Sequence, residues 1–276
     1  MLMIDVIIPA YNCYATLERA FASLESQTFK DFHVIVIDDC STEDLTPTVQ
    51  EHQKKLDLTY IRKEVNEGPG LARQTGIDQS SGDYLAFLDA DDVLMPYAVE
   101  TWSYMSSCNP DIDVFHSYFY EQSYKDGNPA LLLHQKGFTW MHGKLYKASF
   151  LKKHDIRFHP EIRHMEDSYF NSICMELGEG ATISIPMYIW INNPLSITRI
   201  EGGSFHVNWL STFTHGIYLS VKFLEDHGVT NIQHLPNTIK YIEKNMQDNT
   251  LSDSVQKELE YIVQMVSKEK SVTNLL

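Results

Sequence analysis

Carboxylates at the ends of apolar runs are the residues of this 276-residue chain best placed to do chemistry. Asp89-Ala90-Asp91-Asp92 follows the apolar run Tyr84 to Leu88. Carboxylates packed so closely repel one another, and each pKa rises unless a cation neutralises the group. A divalent cation with oxygen ligands meets that need, and a strand end is a rigid place to hold it. Asp89 and Asp91 are read this way; Asp92 is read as a solvated N-cap of the next helix. Asp38-Asp39 ends a second aliphatic run. There a carboxylate either accepts hydrogen bonds from a base or ribose or belongs to a turn capped by Ser41. Gly68-Pro69-Gly70-Leu71-Ala72-Arg73 matches G-x-G-x-x-G except that Arg73 replaces the third glycine, and it follows the third strand. The dinucleotide fingerprint is therefore incomplete. A helix N-terminus with Arg73 in its first turn favours a phosphate, the alternative being a surface arginine on a loop. Glu166-Asp167 lies far along the chain. Asp167 is a general base if it folds back to the same edge, and otherwise a partner for a helix dipole.

The elements that must position these residues alternate. Met3 to Ile8, Phe32 to Ile37, Leu58 to Arg62 and Tyr84 to Leu88 read as strands. Helices are expected between them, with Leu17, Ala20, Phe21 and Leu24 on one face of the first, a polar helix over 43–55, and a third from the Gly68 loop to about Gln79. Such alternation predicts an α/β fold, a mostly parallel sheet flanked by helices, with ligands outside the carboxyl ends of the strands. Pro9-Ala10-Tyr11-Asn12, Asp38-Asp39, Asn66 to Arg73 and Asp89 to Asp91 all fall at that edge. Further on, a helix is expected from Pro96 to about Ser107, a strand over 113–120, a surface loop over 122–135, a segment over 139–146 that leads into a helix to His154, a helix near Glu166 and a further extended stretch over 182–191. Beyond about 205 the pattern is helical. Val255, Leu259, Ile262, Val263 and Val266 form one stripe, expected to pack against the first domain. The expected organisation is a catalytic domain over 1–204, with a nucleotide-binding half to about 95 and an acceptor half from 96, and a helical extension over 205–276.

Composition narrows the function. A formal charge of −15 argues against broad contact with a nucleic-acid backbone. Hydrophobic content of 43% with 12% aromatics fits a substantial core. The twelve histidines show no H-x-x-x-H or H-E-x-x-H spacing. Cys13, Cys40, Cys108 and Cys174 form no C-x-x-C pair and read as buried free thiols of a reducing compartment. No apolar run has the length of a transmembrane segment, and the N-terminus has no signal-peptide pattern. A cytoplasmic location follows, the inner membrane face being compatible with it.

Taken together the segments resemble the large family 2 of inverting, nucleotide-sugar-dependent glycosyltransferases with the GT-A fold. The residues that carry the resemblance are Val6 to Asn12, Val34 to Thr42 (a glycine is usual where Cys40 stands), Asn66 to Ile77, Phe87 to Asp92, Gly143 to Tyr146, Glu166 to Phe170 and Ser196-Ile197-Thr198. The similarity covers about residues 3 to 200, in order and at familiar spacing.

The resemblance implies a UDP-sugar donor. Pro9, Ala10, Tyr11 and Asp39 would hold its uracil end, Asn66 and Arg73 the nucleotide or diphosphate side, and Asp89 and Ala90 the ribose and sugar. Asp91 would ligate Mn²⁺ or Mg²⁺ bridging the two phosphates. Asp167 would take the proton from an acceptor hydroxyl that attacks the anomeric carbon from the opposite face. Arg199 would help clamp the diphosphate, although family members often place an arginine earlier, where Ile191-Asn192 stands here. Trp140 and His142 line the acceptor side or belong to the core. The acceptor is a glycan, a wall polymer or a lipid-linked oligosaccharide in surface polysaccharide or glycoconjugate synthesis. The C-terminal helices recognise it, join two copies as a homo-oligomer or cover the sheet. Two alternatives share part of the signal: a haloacid-dehalogenase-like phosphatase with Asp89 as nucleophile, and a non-catalytic nucleotide-sugar-binding protein.

Overall fold

The computed structural model describes residues 2–125, 128–137, 139–193, 204–246 and 251–273. Four strands, β1 (Ile4–Ala10), β2 (His33–Asp38), β3 (Leu58–Arg62) and β4 (Tyr84–Phe87), alternate with α1 (Tyr14–Glu25), α2 (Thr46–His52) and α3 (Pro69–Gln79). β1 pairs in parallel with β2 and β4, and β2 with β3. Their residues are aliphatic on both faces because helices cover both, as parallel sheets require. The register sets Ala10 opposite Asp38 and Ile7 opposite Phe87, so Tyr11, Asp39 and Asp89 leave the sheet along one edge.

The second half changes direction. β5 (Val93–Leu94), α4 (Ala98–Cys108), β6 (Val114–Lys125), β7 (Asn128–His134), β8 (Lys144–Lys147), α5 (Ala148–Lys153), α6 (Glu166–Leu177) and β9 (Gly180–Trp190) follow. The sheet order is β3-β2-β1-β4-β8-β6-β9-β5, with β7 joined to β6. β8 is antiparallel to both β4 and β6. Helices α7 (Ser204–Asp226), α8 (Leu235–Asn245) and α9 (Asp253–Thr273) complete the chain.

One core lies on each face of the sheet. Val6, Ile8, Phe21, Leu24, Val34, Val99 and Trp102 fill one, under α1 and α4. Ile7, Phe87, Phe158, Phe170 and Ile173 fill the other, and Leu210, Ile217, Ile242 and Ile262 from α7, α8 and α9 belong to that same core. The α9 stripe thus packs inward, with Leu259 and Ile262 buried, while Val263 is exposed.

Three expectations are corrected. Residues 122–135 were expected to be a loop, but β6 and β7 form a long hairpin through them. The turn residues Asp126 to Pro129 overshadowed a leucine run that pairs with Tyr120 to Gln122. The helix expected over 43–55 is confined to Thr46–His52, and in the segment after 139 the strand β8 occupies Lys144–Lys147. The four cysteines are free, yet only Cys174 is buried; Cys108 is exposed and Cys13 and Cys40 are intermediate. Cys40 has φ +64°, a left-handed conformation that explains why a glycine suits that position.

Candidate active site

Arg73 is the centre of the strand-end edge. Its guanidinium is 4% exposed and reaches Asp89 Oδ1 and Glu166 Oε1, each at 2.6 Å. The surface-arginine alternative therefore fails, and both terminal nitrogens are engaged by carboxylates. Gly70 eases this approach: a Cβ there would stand 3.0 Å from the Glu166 Cγ, a contact that Glu166 would have to relieve by shifting. Burial acts to raise the Asp89 carboxyl, but the Arg73 charge holds it below the usual carboxylate range.

Through Glu166, the bridge fixes the start of α6, where Asp167 sits. The residue before them, Met165, takes a left-handed φ of +60°, which turns the chain abruptly into the helix. Asp167 is half-buried. Burial first, and then the Glu166 charge, pushes its carboxyl up to about 7, against the opposing influence of Arg73. A carboxyl titrating near neutrality is tuned for general-base work. Lys144 lies in the same region, buried, with its ammonium bonded to the carbonyls of Gly137 and Trp140. Burial lowers its pKa to about 7.

Within the Asp-rich turn Asp92 is shielded from solvent, while Asp89 and Asp91 are half-buried. Asp92 is 1% exposed; it accepts hydrogen bonds from the Tyr188 hydroxyl at 2.6 Å and the Ile191 amide at 2.7 Å. The expectation that Asp92 caps a helix is thus overturned, because β5 intervenes and α4 begins only at Ala98. Burial and the neighbouring Asp89 and Asp91 charges push Asp92 well above its ordinary value. Asp91 accepts a hydrogen bond from Asn193 at 2.9 Å, and burial raises its carboxyl too. Among the described residues, ligand atoms of Asp89, Asp92 and His142 all lie within 4.8 Å of one another. The His142 Nδ1 is buried without a hydrogen-bond partner. Oxygen and nitrogen donors in that arrangement, with the Asp92 carboxyl raised first by burial and then by the neighbouring Asp89 and Asp91 charges, fit a divalent cation.

The remaining expected residues distribute along the edge. Tyr11 is 48% exposed beyond β1, after the half-buried Pro9 and buried Ala10, and Ala90 is buried within the turn. Asp39 is buried, accepting the Glu67 and Gly68 amides at 3.1 and 2.7 Å with Lys63 at 3.1 Å, so it clamps the loop that opens α3. Asn66 on that loop is hydrogen-bonded by Arg163. Arg199 lies outside the described residues. Sequence reasoning missed the Arg73–Glu166 pair, Tyr188 and Asn193. No spacing rule links them, since each meets its partner only through the tertiary fold.

A parallel nucleotide-type sheet continued by a mixed half, in which β8 runs antiparallel to β4 and β6 and β9 parallel to β6, with carboxylates gathered at the strand ends, is the GT-A architecture. The family model for Glycosyl transferase family 2 matches residues 5–165, and the chain belongs to that family. An uncharacterized glycosyltransferase of Haemophilus influenzae is 38% identical over 115 residues, 41% of this chain and 38% of its own length. The poly(ribitol-phosphate) beta-N-acetylglucosaminyltransferase TarS of Staphylococcus aureus is 28% identical over 182 residues, 62% of this chain and 32% of its own. The chain thus spans about a third of the length of these relatives. The fold is similar to that of TarS 1-349 in complex with UDP-GlcNAc, with a TM-score of 0.74 at 19% identity over 95% of this chain and 79% of that one. The mannosyltransferase PcManGT of Pyrobaculum calidifontis, solved with GDP-Man and Mn2+, gives a TM-score of 0.58 at 15% identity over 97% and 75%.

Proposed function

We propose that the chain transfers a sugar from a UDP-sugar to an acceptor hydroxyl with inversion, in the synthesis of a cell-surface polysaccharide or glycoconjugate. The observation that carries this reading is the Arg73 bridge, which ties the strand-end carboxylate Asp89 to the helix start that bears Asp167. TarS, a family relative that binds UDP-GlcNAc and UDP, supports the choice of donor.

In this reading Pro9, Ala10, Tyr11 and Asp39 border the uracil, Asp39 acting through the loop it clamps. Asn66 and Arg73 lie toward the nucleotide, and Asp89 and Ala90 toward the ribose and sugar. Arg199 is assigned to the diphosphate. Asp91 is the proposed ligand of Mn²⁺ or Mg²⁺; Asp89, Asp92 and His142, whose donor atoms lie within 4.8 Å of one another, form a neighbouring donor set that would also suit the ion. When bound, such an ion supplies charge neutralisation for the departing diphosphate. Asp167, ionised above about 7, accepts the acceptor hydroxyl proton at its carboxylate as the oxygen attacks the anomeric carbon from the face opposite the leaving group. Arg73 keeps Asp89 ionised and holds Glu166, which orients the base. One displacement of this kind inverts the anomeric centre. The catalytic unit is assigned to 1–204 and the extension to 205–276. Among the described residues no helix is long and apolar enough to cross a membrane.

Isothermal titration of UDP, with and without Mn²⁺, tests the donor site on wild type and Asp91→Ala. Mn²⁺-dependent binding weakened by the substitution is expected. No UDP binding under any metal condition overturns the reading.

A further inference from the structure

An aromatic wall stands beside the carboxylates. Opposed residues of a ladder share a sheet face, and the pairs Phe119–His134 and Phe119–Tyr188, with Glu121–Trp190, set these side chains on one face. Trp140 closes the wall from the connecting loop, with its ring 5.9 Å from Trp190 and 5.5 Å from His134. His142 stacks on Trp190 at 5.3 Å and lies 4.9 Å from Tyr188. Phe119 is buried beneath, whereas Trp140, Trp190, His134 and His142 are each only half-buried.

The wall is tied to both sides of the reaction centre. Asn171 donates to the Thr139 carbonyl at 2.9 Å and to the Asp167 carbonyl at 3.0 Å, so the Trp140 loop is held against the base-bearing helix. On the other side, His142 shares the close cluster with Asp89 and Asp92. A half-buried indole flanked by imidazole and carboxylate polar groups matches a pyranose, which has an apolar C–H face and a hydroxyl rim.

The charges select further. Glu121 pairs with His134 at 3.0 Å. Lys144 is turned to backbone carbonyls and Arg73 to two carboxylates. From Asn128 to Gly143 the single residue that is Lys or Arg besides these is Lys136. A chain of net charge −15 with a wall so poor in cations repels a polyanion.

We propose that Trp140, Trp190 and His134 form the acceptor subsite, and that it takes an uncharged glycan ending in a pyranose, not a polyol-phosphate chain. This assignment rests on the donor reading above for its place in the reaction. It differs from the poly(ribitol-phosphate) acceptor in the name of TarS.

The test titrates chitotetraose, cellotetraose and a ribitol-phosphate tetramer into the UDP-loaded protein, following tryptophan emission and heat. One of the neutral tetrasaccharides binds and shifts the emission, and the ribitol-phosphate tetramer does not. Trp190→Leu weakens that binding by about tenfold or more, Trp190→Phe restores most of it, and UDP affinity stays as in the wild type. Trp140→Leu repeats the test from the loop, so a packing defect confined to β9 does not decide it. Tighter binding of the ribitol-phosphate tetramer, failure of both neutral sugars, or wild-type affinity in both leucine variants overturns the proposal. If the wild type does not bind UDP, the donor reading fails instead, and the same titrations without UDP still decide the subsite.

Discussion

The strand-end edge of the first half and the aromatic wall of the second are built on opposite principles. The edge holds buried carboxylates, each with a charged or polar partner: Asp39 with Lys63, Asp89 with Arg73, Asp92 with Tyr188. The wall holds rings whose contacts are unspecific in direction. Removing one partner from the edge therefore strands a charge in a poorly solvated place, while trimming a ring leaves a void that neighbours can partly fill. The edge is brittle and the wall is adaptable.

The sharpest way to break this contrast is Arg73→Met. It leaves Asp89 and Glu166 facing each other without their cation, and a loss of about 3–5 kcal/mol is expected, as for other broken buried pairs. Chemical denaturation measures it; a loss under 1 kcal/mol means the bridge is not what holds the two halves of the edge.

Asp167→Asn comes next, with a fall in turnover of about 10²–10⁴-fold and unchanged UDP binding. Wild-type turnover rises with pH through about 7, as the carboxylate forms. The stability effect runs the other way. Between the unfolded carboxyl range near about 4 and the native value, only the native state holds the proton, so native stability falls as pH rises through that window. The asparagine variant escapes this, and above neutral pH its Tm should exceed that of the wild type by about 2–4 °C. Equal Tm values across the window would show that the carboxyl titrates normally.

Tyr188→Phe is a smaller probe, removing the hydroxyl that donates to Asp92 and accepts from the Asp89 amide at 3.2 Å. About 1–3 kcal/mol is expected for a buried acceptor left without its donor. Leu132→Thr on the hairpin, where the side chain is 53% exposed, should change stability by no more than about 0.5 kcal/mol. A larger cost there would mean that the hairpin is covered in solution.

The same contrast decides what could be read from the chain. The parallel half was legible because its signals are local: aliphatic runs, strand-end carboxylates and the Gly68 loop follow one another in order. That Asp89, Asp91 and Asp39 stand at strand ends could be read from their positions alone. What Arg73 touches could not, because its two partners come from β4's end and from α6. Asp92 was misread since a carboxylate before a proline-bounded segment looks like a cap, and only the return of β9 brings Tyr188 to it. The β7 leucines hid behind a turn signal, and Trp190 gained its neighbours from a register that no single strand records.

The Arg73–Glu166 contact also joins residues 93 apart in sequence. Closing so long a loop carries an entropic cost that local contacts do not share. The carboxylate turn and its arginine are neighbours in sequence, whereas Asp167 reaches them only when α6 docks. Under the proposed function, a chain that has lost the docking of α6 would keep the strand-end carboxylates and lack the group assigned to deprotonate an acceptor.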